Sequence, residues 1–347
     1  MDSSHNICNF AAYMKYTNLL ILSFIVLTTA FSCKGSKDVN GSNDTDTTAI
    51  VQIAFNEDSA YAYCAKQCEV GPRTMNSKAH EDCKAWIAEK FAGFGLDVVE
   101  QNAQLKGYDG TMLNSTNIIA QYKPEAADRV LIFAHWDARP WADNDPDEAN
   151  HKKAIDAAND GASGVAVMLE LARILQKDSL KFGIDFICFD AEDWGLPSWE
   201  EDFEGNSEET WALGAQYWSK NPHKEGYKAN FGILLDMVGG SGAQFCFEGY
   251  SKQYAQSVID HVWAAAHKAG YSSFFPMKDG GIITDDHVPV ISNLGIPCID
   301  IIPYYENCEQ SSFGPTWHTV NDNMNNISRE TLKAVGQTLV QVLYSIQ

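Results

Sequence analysis

Four short apolar runs constrain the fold of this chain more than any other feature. They cover residues 130–136, 182–189, 231–237 and 296–302. Continuous apolar runs of this length are typical of strands that are buried on both faces of a parallel sheet. Segments with helical spacing alternate with them, most clearly residues 162–176. We therefore expect an α/β protein: a single globular domain in which a mostly parallel, mixed central β-sheet is flanked by helices.

Other segments extend this pattern on both sides of the four runs. Helical spacing is predicted for residues 78–94, 210–219, 252–269 and 328–346, and strands for residues 97–105 and 117–122. The stretch between the first run and helix 162–176 is expected to be a loop. No internal repeat is visible, so nothing in the pattern requires a second domain.

Acidic and imidazole groups lie where the apolar runs stop, and at two further loop positions. They are His135, Asp160, Glu192, Asp193, Asp236 and His318. In open α/β sheets, ligands bind outside the carboxyl ends of the strands. Adjacent carboxylates that leave a buried strand repel one another unless a cation or a shared proton lies between them. Imidazole and carboxylate groups are zinc ligands, so the set predicts a zinc enzyme. Taken singly, each has a plain structural explanation, such as Asp160 capping the helix that follows it.

The start of the chain has the composition of an export signal. Lys15 precedes an apolar run that is shorter than the roughly 20 residues of a transmembrane helix, and the run ends just before Cys33. This predicts a lipoprotein-type signal peptide over residues 1–33, with Cys33 acylated, or alternatively a secretory peptide that is simply cleaved. Residues 34–49 predict a flexible tether, and residues 50–347 the catalytic domain. We expect an exported bacterial protein, either periplasmic or attached to a membrane through lipidated Cys33.

Net charge and cysteine content narrow the classes of partner. The formal charge of −21 at pH 7 argues against nucleic acid, because phosphate backbones are bound by Lys/Arg patches. It favours neutral or cationic substrates, such as peptides with a free amino terminus. In an oxidising compartment disulfides are expected, either between Cys298 and Cys308 or within the group Cys64, Cys68 and Cys83. The sequence does not decide between these pairings.

Six motifs, in order along the chain, are similar to those of one enzyme superfamily. They are HWDAR (135–139), ANDGASGVAVMLELARIL (158–175), FDAEDWG (189–195), LLDMVG (234–239), TDDHVPV (284–290) and WHTVNDN (317–323). Gly71-Pro72-Arg73 and GIPCIDIIP (295–303) are further matches. The series resembles the zinc aminopeptidase superfamily. Its DDH block and Trp-His-Thr motif resemble the glutaminyl-peptide cyclotransferases, the animal-type glutaminyl cyclases and their bacterial relatives. The resemblance runs from about residue 55 to the C-terminus and implies the zinc aminopeptidase, phosphorylase/hydrolase-like fold.

The resemblance implies a role for each matching residue at the metal. Asp160, Asp193 and His318 match the ligands of a single zinc ion, and Glu192 matches the general acid/base. The second acidic residue of the 192–193 pair is Asp here, where the animal enzymes carry Glu. Because Asp is one methylene shorter, the metal or the strand end must shift slightly, but ligation by a carboxylate is kept.

The remaining implied roles concern the substrate and its protons. Asp236 and Asp285 match two carboxylates of a proton and hydrogen-bond network, and Trp317 matches a tryptophan that lines the glutamine pocket. A second pocket tryptophan is expected from the loop after residue 193. Its candidates are Trp194, Trp199 and Trp211, because the insertion there does not align cleanly; we favour Trp194 and Trp199.

The activity implied is conversion of an N-terminal glutamine of a peptide or protein into pyroglutamate, with release of ammonia. Zinc would polarise the γ-carbonyl and Glu192 would carry the proton. The alternative is an exported two-zinc aminopeptidase, in which His135 and Asp236 help to hold a second ion. We expect one zinc for a cyclase and two for an aminopeptidase. A lipoprotein that only binds peptides is a third possibility, although every metal and acid/base position is intact. Oligomeric state is left open.

Overall fold

The apolar runs form the centre of a six-stranded sheet in the computed structural model, which describes residues 50–346. The strands are β1 Asp97–Lys106, β2 Met112–Tyr122, β3 Arg129–His135, β4 Gly183–Phe189, β5 Gly232–Leu235 and β6 Cys298–Ile301. The helices are α1 Glu57–Glu69, α2 Lys78–Gly93, α3 Ala162–Leu175, α4 Leu213–Lys220, α5 Gly249–Lys268, α6 His287–Leu294 and α7 Arg329–Ser345. The predicted signal segment 1–33, including Cys33, and the tether 34–49 lie outside the described residues.

The strand order is β1-β2-β4-β3-β5-β6. Strands β4, β3, β5 and β6 run parallel to one another, whereas β2 pairs antiparallel with β4 and β1 pairs antiparallel with β2. The predicted α/β class with a mostly parallel, mixed sheet is therefore confirmed. All residues of β3, β4, β5 and β6 are buried, as the apolar runs predicted. The carboxyl ends of these four strands meet at one edge of the sheet.

Helices cover both faces of the sheet, and alternate side chains of each strand enter different cores. In β3, Ile132 packs in the larger core with residues of α1, α2, α3, α5 and α7. Its neighbour Phe133 points to the smaller core, which includes Trp218 of α4 and Val290 of α6. Because α3 is buried along almost its whole length, it fixes the loop that precedes it against the edge of the sheet.

The helices not predicted are α1 and α6, for different reasons. Helix α1 is polar on average and begins at a capping residue, Asn56, whose side chain accepts a hydrogen bond from Ser59 N at 3.0 Å. Helix α6 is only eight residues long and contains Pro289. In residues 50–346, no helix is both long and apolar enough to cross a membrane. The cysteines considered for disulfides are all free thiols in the structure.

Candidate active site

The carboxyl edge of the sheet brings the predicted acidic and imidazole groups together. His135 is the last residue of β3, and Asp236 directly follows β5. Glu192 and Asp193 follow β4, and Asp160 lies two residues before α3. His318 comes from the long loop between β6 and α7, and it is buried like the other five.

Several residues beside these groups have a left-handed backbone. Ala191, before Glu192, has φ 54°, Met237, after Asp236, has φ 49°, and His318 itself has φ 52°. Residues other than glycine rarely adopt this backbone conformation, and such backbone strain is concentrated at functional sites. Gly161, with φ 105°, follows Asp160, and a Cβ there would lie 2.8 Å from the carbonyl oxygen of Asp137. The local backbone is therefore set to direct these side chains to one point.

The first cluster has the composition of a zinc site. Asp160, Asp193 and His318 each offer a ligand atom, and these atoms lie within 4.8 Å of one another. His318 Nε2 is 3.3 Å from Asp193 Oδ1 and 3.5 Å from Asp160 Oδ2. The buried oxygens Asp160 Oδ2 and Asp193 Oδ2 have no hydrogen-bond partner. Buried carboxylate oxygens without partners are costly unless a cation satisfies them, so these residues fit zinc.

A second layer of charged groups holds this cluster in place. His318 Nδ1 lies 3.3 Å from Asp143 Oδ1, which leaves Nε2 facing the cluster. Arg139 donates to both oxygens of Asp143 at 2.6 and 2.7 Å, and to Asp193 Oδ1 at 3.2 Å. Burial alone would raise the pKa of the Asp143 carboxyl, but Arg139 and His318 hold that pKa well below its usual range. Asp143 therefore stays ionised and orients the imidazole, as outer partners of metal-bound histidines do.

A second group of ligand atoms adjoins the first. His135 Nε2 is 3.0 Å from Asp160 Oδ1 and 3.3 Å from Asp236 Oδ1, and these atoms also lie within 4.8 Å of one another. Asp160 belongs to both groups. Asp137 lies 3.5 Å from His135 Nδ1 and accepts the backbone N–H groups of Glu192 and Asp193. The structure thus brings together all the positions that a one-zinc or a two-zinc site would use.

A cavity of about 280 Å³ opens onto these groups. Five acidic or imidazole residues belong to its lining: Asp160, Glu192, Asp236, Asp285 and His318. Its other lining residues are Ser207, Glu208, Trp211, Met237, Ile282, Ile283, Thr284, Ile302, Phe313 and Trp317. The lining therefore combines a few acidic and imidazole groups with aromatic and aliphatic side chains, as small-molecule sites generally do.

Two tryptophans of the lining flank the imidazole of His318. The ring of Trp317 stacks on that of His318 at 3.7 Å, and the ring of Trp211 lies 6.0 Å away, at an angle of 13°. Of the three candidates for the second pocket tryptophan, only Trp211 lines the cavity. The favoured Trp194 and Trp199 instead pack edge-on against Trp141, with ring centroids at 5.4 and 5.8 Å.

The carboxyl groups of the cavity differ in how readily they ionise. Burial raises the pKa of Glu192 well above its usual value, and the negative charge of Asp193 adds to this effect against the opposing charge of His135. Burial and the charge of Asp236 raise the pKa of Asp285 to about 8. At neutral pH, Asp285 therefore carries a proton that it can donate in a hydrogen bond.

Several site residues were not identified from the sequence. Asp286 and Asp300 are fully buried, and none of their carboxylate oxygens has a hydrogen-bond partner. Both lie within motifs that were matched, but no role was given to them. A carboxylate inside the apolar run 296–302 was the available signal, because such a charge is costly without a partner or a proton. Arg139 and Asp143 were treated as loop residues, although both are buried.

Comparison with known proteins identifies the family to which the chain is similar. Residues 117–343 match Peptidase family M28. A Bacteroides thetaiotaomicron glutaminyl cyclase, solved bound to N-acetylhistamine, is 51% identical with a TM-score of 0.81; the match covers 84% of this chain and 98% of that one.

Two curated relatives correspond to the two predicted activities, one being an aminopeptidase and the other a glutaminyl-peptide cyclotransferase. Aminopeptidase YwaD of Bacillus subtilis (strain 168) is 30% identical over 256 residues, which are 71% of this chain and 48% of that protein. The glutaminyl-peptide cyclotransferase of Bos taurus is 26% identical over 250 residues, 65% of this chain and 64% of its own length. The chain thus spans about half of the first relative and slightly less than two thirds of the second. With its zinc-type donor set and these matches, the chain belongs to peptidase family M28, and its predicted resemblance to the glutaminyl cyclases is confirmed.

Proposed function

We propose that this chain is a zinc-dependent glutaminyl-peptide cyclotransferase, which converts the N-terminal glutamine of peptides or proteins to pyroglutamate and ammonia. The observation that carries the proposal is the cavity itself. Its lining includes Glu192, Asp285, the two potential zinc ligands Asp160 and His318, and the indole rings of Trp211 and Trp317, and the pKa of Asp285 is raised to about 8. These are the groups that an intramolecular aminolysis needs: a proton carrier, a hydrogen-bond donor and a pocket for one side chain. The similarity to solved glutaminyl cyclases supports the same activity.

We assign Asp160, Asp193 and His318 to a single zinc ion. When bound, zinc supplies a Lewis acid for the γ-carbonyl oxygen of the substrate. The orphaned oxygens of the two aspartates and the orientation of His318 by Asp143 support this assignment. His135 is paired with Asp160 and Asp236, so in a one-zinc enzyme it neutralises their charge.

Glu192 carries the proton between the two halves of the reaction. The α-amine of the substrate attacks the γ-carbonyl carbon, and Glu192 accepts a proton from that nitrogen as the new C–N bond forms. Glu192 then returns the proton to the γ-nitrogen as the old C–N bond breaks, so that ammonia leaves. Burial raises the pKa of Glu192 and so makes it a stronger base than an exposed carboxylate, while the positive charge of His135 acts in the opposite direction and favours the ionised form that accepts the proton.

Asp285 and Asp236 position the substrate. Asp285 is protonated near neutral pH and Asp236 lies close enough to raise its pKa, so the two carboxyls act as donor and acceptor. This pair can hold the amide of the glutamine side chain and the α-amine in reach of each other. The indole rings of Trp211 and Trp317 enclose the apolar methylenes and exclude water, which would otherwise compete as the nucleophile.

A two-zinc aminopeptidase is the second candidate function, and one observation favours it. His135, Asp160 and Asp236 form a second group of potential ligands that shares Asp160 with the first. Two-metal sites activate water for hydrolysis, which would release the N-terminal residue instead of cyclising it.

One assay separates these functions and a protein that only binds peptides. Residues 50–347 are incubated with a glutamine-initiated dipeptide and, separately, with a leucine amide, and ammonia and free amino acid are followed. Ammonia from the first without hydrolysis of the second is the expected result. Hydrolysis of the leucine substrate without cyclisation would establish the aminopeptidase. If neither substrate reacts, the protein that only binds peptides would be supported.

We further propose that the domain acts outside the cytoplasm on peptide or protein N-termini. The proposal rests on the signal-like residues 1–33, whose Cys33 is the expected acylation site, and on the tether 34–49. Replacing Cys33 with Ser is expected to convert the protein from a membrane-bound to a released form on cell fractionation. Equal membrane retention of both forms would contradict lipid attachment.

A further inference from the structure

Side chains from remote parts of the chain make many of the hydrogen bonds that hold the loop that carries Asp160, residues 156–161. Its backbone is irregular, since Ala157 has φ 50° and Gly161 has φ 105°. A segment of this shape cannot satisfy its own buried polar groups as a helix or strand would. Asp322 accepts the N–H groups of Asn159 and Asp160 at 2.8 and 3.0 Å. The N–H groups of these two loop residues are therefore bonded by a side chain of the segment that precedes α7.

The carbonyl groups of the same loop are held by the N-terminal part of the domain. Arg73 Nη1 donates to the carbonyl oxygen of Asp156 at 2.7 Å, and Nη2 donates to that of Ala157 at 2.8 Å. The thiol of Cys64 in α1 donates to the carbonyl oxygen of Ala158 at 3.0 Å. Three consecutive carbonyls that lead to Asp160 thus take their donors from residues 64–73.

Arg73 also contacts the other strand end of the site. Its third donor, Nε, bonds to the carbonyl oxygen of Trp136 at 3.1 Å, directly after His135. A single guanidinium therefore ties the end of β3 to the Asp160 loop. The Arg73 side chain is fully buried, and none of the ion pairs within residues 50–346 includes it. Burying this charge without a carboxylate partner is costly, and the planar fork of donors is what a lysine cannot reproduce.

We propose that Arg73 is a positioning residue for the metal site: it fixes the backbone on which Asp160 and His135 stand, and so sets the affinity for zinc. Arg73 touches neither the cavity nor the ligand atoms, so its effect passes through the loop. The inference rests on the zinc site of the proposed function. Outer contacts of this kind typically change metal affinity by about 10- to 100-fold.

The test compares Arg73→Lys with a matched control on the same strand as His135. Arg129, at the opposite end of β3, is also buried and binds Asp185 through two bonds of 2.6 and 2.7 Å. Zinc affinity is measured by competition with a chromogenic chelator, alongside thermal unfolding of the metal-free proteins. We expect Arg73→Lys to weaken zinc binding by about 10- to 100-fold. Arg129→Lys is expected to lower the unfolding temperature but to bind zinc as the wild type does.

A folded Arg73→Lys protein with wild-type zinc affinity would overturn the inference, as would an equal loss of affinity in Arg129→Lys. If Arg73→Lys does not fold, Cys64→Ala decides, because it removes a donor from the same loop. Its control is Cys83→Ala, which removes a buried thiol that makes no hydrogen bond to residues 156–161. Weaker zinc binding in Cys64→Ala alone supports the inference, and equal binding in both refutes it. If the wild type binds no zinc, the metal site of the proposed function itself fails.

Discussion

Replacing Glu192 with Gln isolates the proton carrier from everything else in the site. Gln has nearly the same size and keeps the backbone N–H bond to Asp137, but it cannot accept and return a proton. Glu192 belongs to neither group of potential metal ligands, so the bound zinc is expected to stay. General acid/base catalysis contributes about 10²- to 10⁴-fold. At about 1.36 kcal/mol for each factor of ten, this is a loss of about 3–5 kcal/mol of transition-state stabilisation.

The assay for Glu192→Gln is steady-state release of ammonia from a glutamine-initiated peptide, together with zinc content and thermal unfolding. We expect kcat to fall by about 10³-fold, with KM little changed, because the lost interaction is made only in the transition state. Stability gives a second readout with a defined sign. Burial raises the pKa of Glu192 above its usual 4.5, so the metal-free wild type loses stability as the pH rises through the folded value. Glu192→Gln lacks that loss, so at pH values above the folded pKa it is expected to unfold at the same temperature as the metal-free wild type or at a higher one.

Two outcomes would refute this reasoning. Loss of zinc in Glu192→Gln would show that Glu192 is a ligand. Turnover within about tenfold of the wild type would fall below the range of general acid/base catalysis and would show that another group carries the proton.

Three further predictions follow from the cavity. Wild-type kcat is expected to fall as the pH rises through about 8, where Asp285 loses its proton. Asp285→Asn keeps a hydrogen-bond donor at every pH, so its kcat should not show this alkaline decrease. Identical pH profiles of the two enzymes would contradict the donor role of Asp285. Trp211→Ala is expected to raise KM by about tenfold, whereas Trp194→Ala, whose side chain lies outside the cavity lining, leaves KM nearly unchanged; the reverse order would reassign the wall. Zinc chelation is expected to abolish activity and lower the unfolding temperature, both restored by zinc; full activity after exhaustive chelation would exclude a metal role.

The sheet could be predicted because its strands are buried on both faces. The predicted strands 130–136 and 182–189 differ from β3 and β4 by a single residue at one or both ends. The agreement is close because a continuous apolar run of this length is buried best in the interior of a sheet. The position of His135 at a strand end followed directly. Strand order could not be read in the same way, because it depends on which strands meet through long crossovers. Helix α1 was missed because its buried face is partly polar, with Gln67 and Cys64 fully buried.

Site residues could be predicted where the chemistry of the side chain alone indicates its role. They could not be predicted where the role depends on how the surrounding loop folds. Carboxylates after apolar runs indicated a metal site, whereas the choice among tryptophans depends on how the loop after β4 folds. Trp211 packs over Gly195, where a Cβ would lie 2.0 Å from its ring, and this brings the indole to the cavity. Within residues 50–346, the Arg73 side chain donates only to backbone carbonyl groups, and because every residue has such a group, these partners leave no pattern in a sequence.

The fate of one glutamine-initiated peptide tests the central claim most directly. A peptide with glutamine at its amino terminus is incubated with the zinc-loaded domain, and its products are separated and weighed by mass spectrometry. The cavity predicts a single product, the same peptide lighter by one ammonia, with no free glutamine. Free glutamine and a peptide shortened by one residue would mean that water reaches the carbonyl group, and that the site is a peptidase.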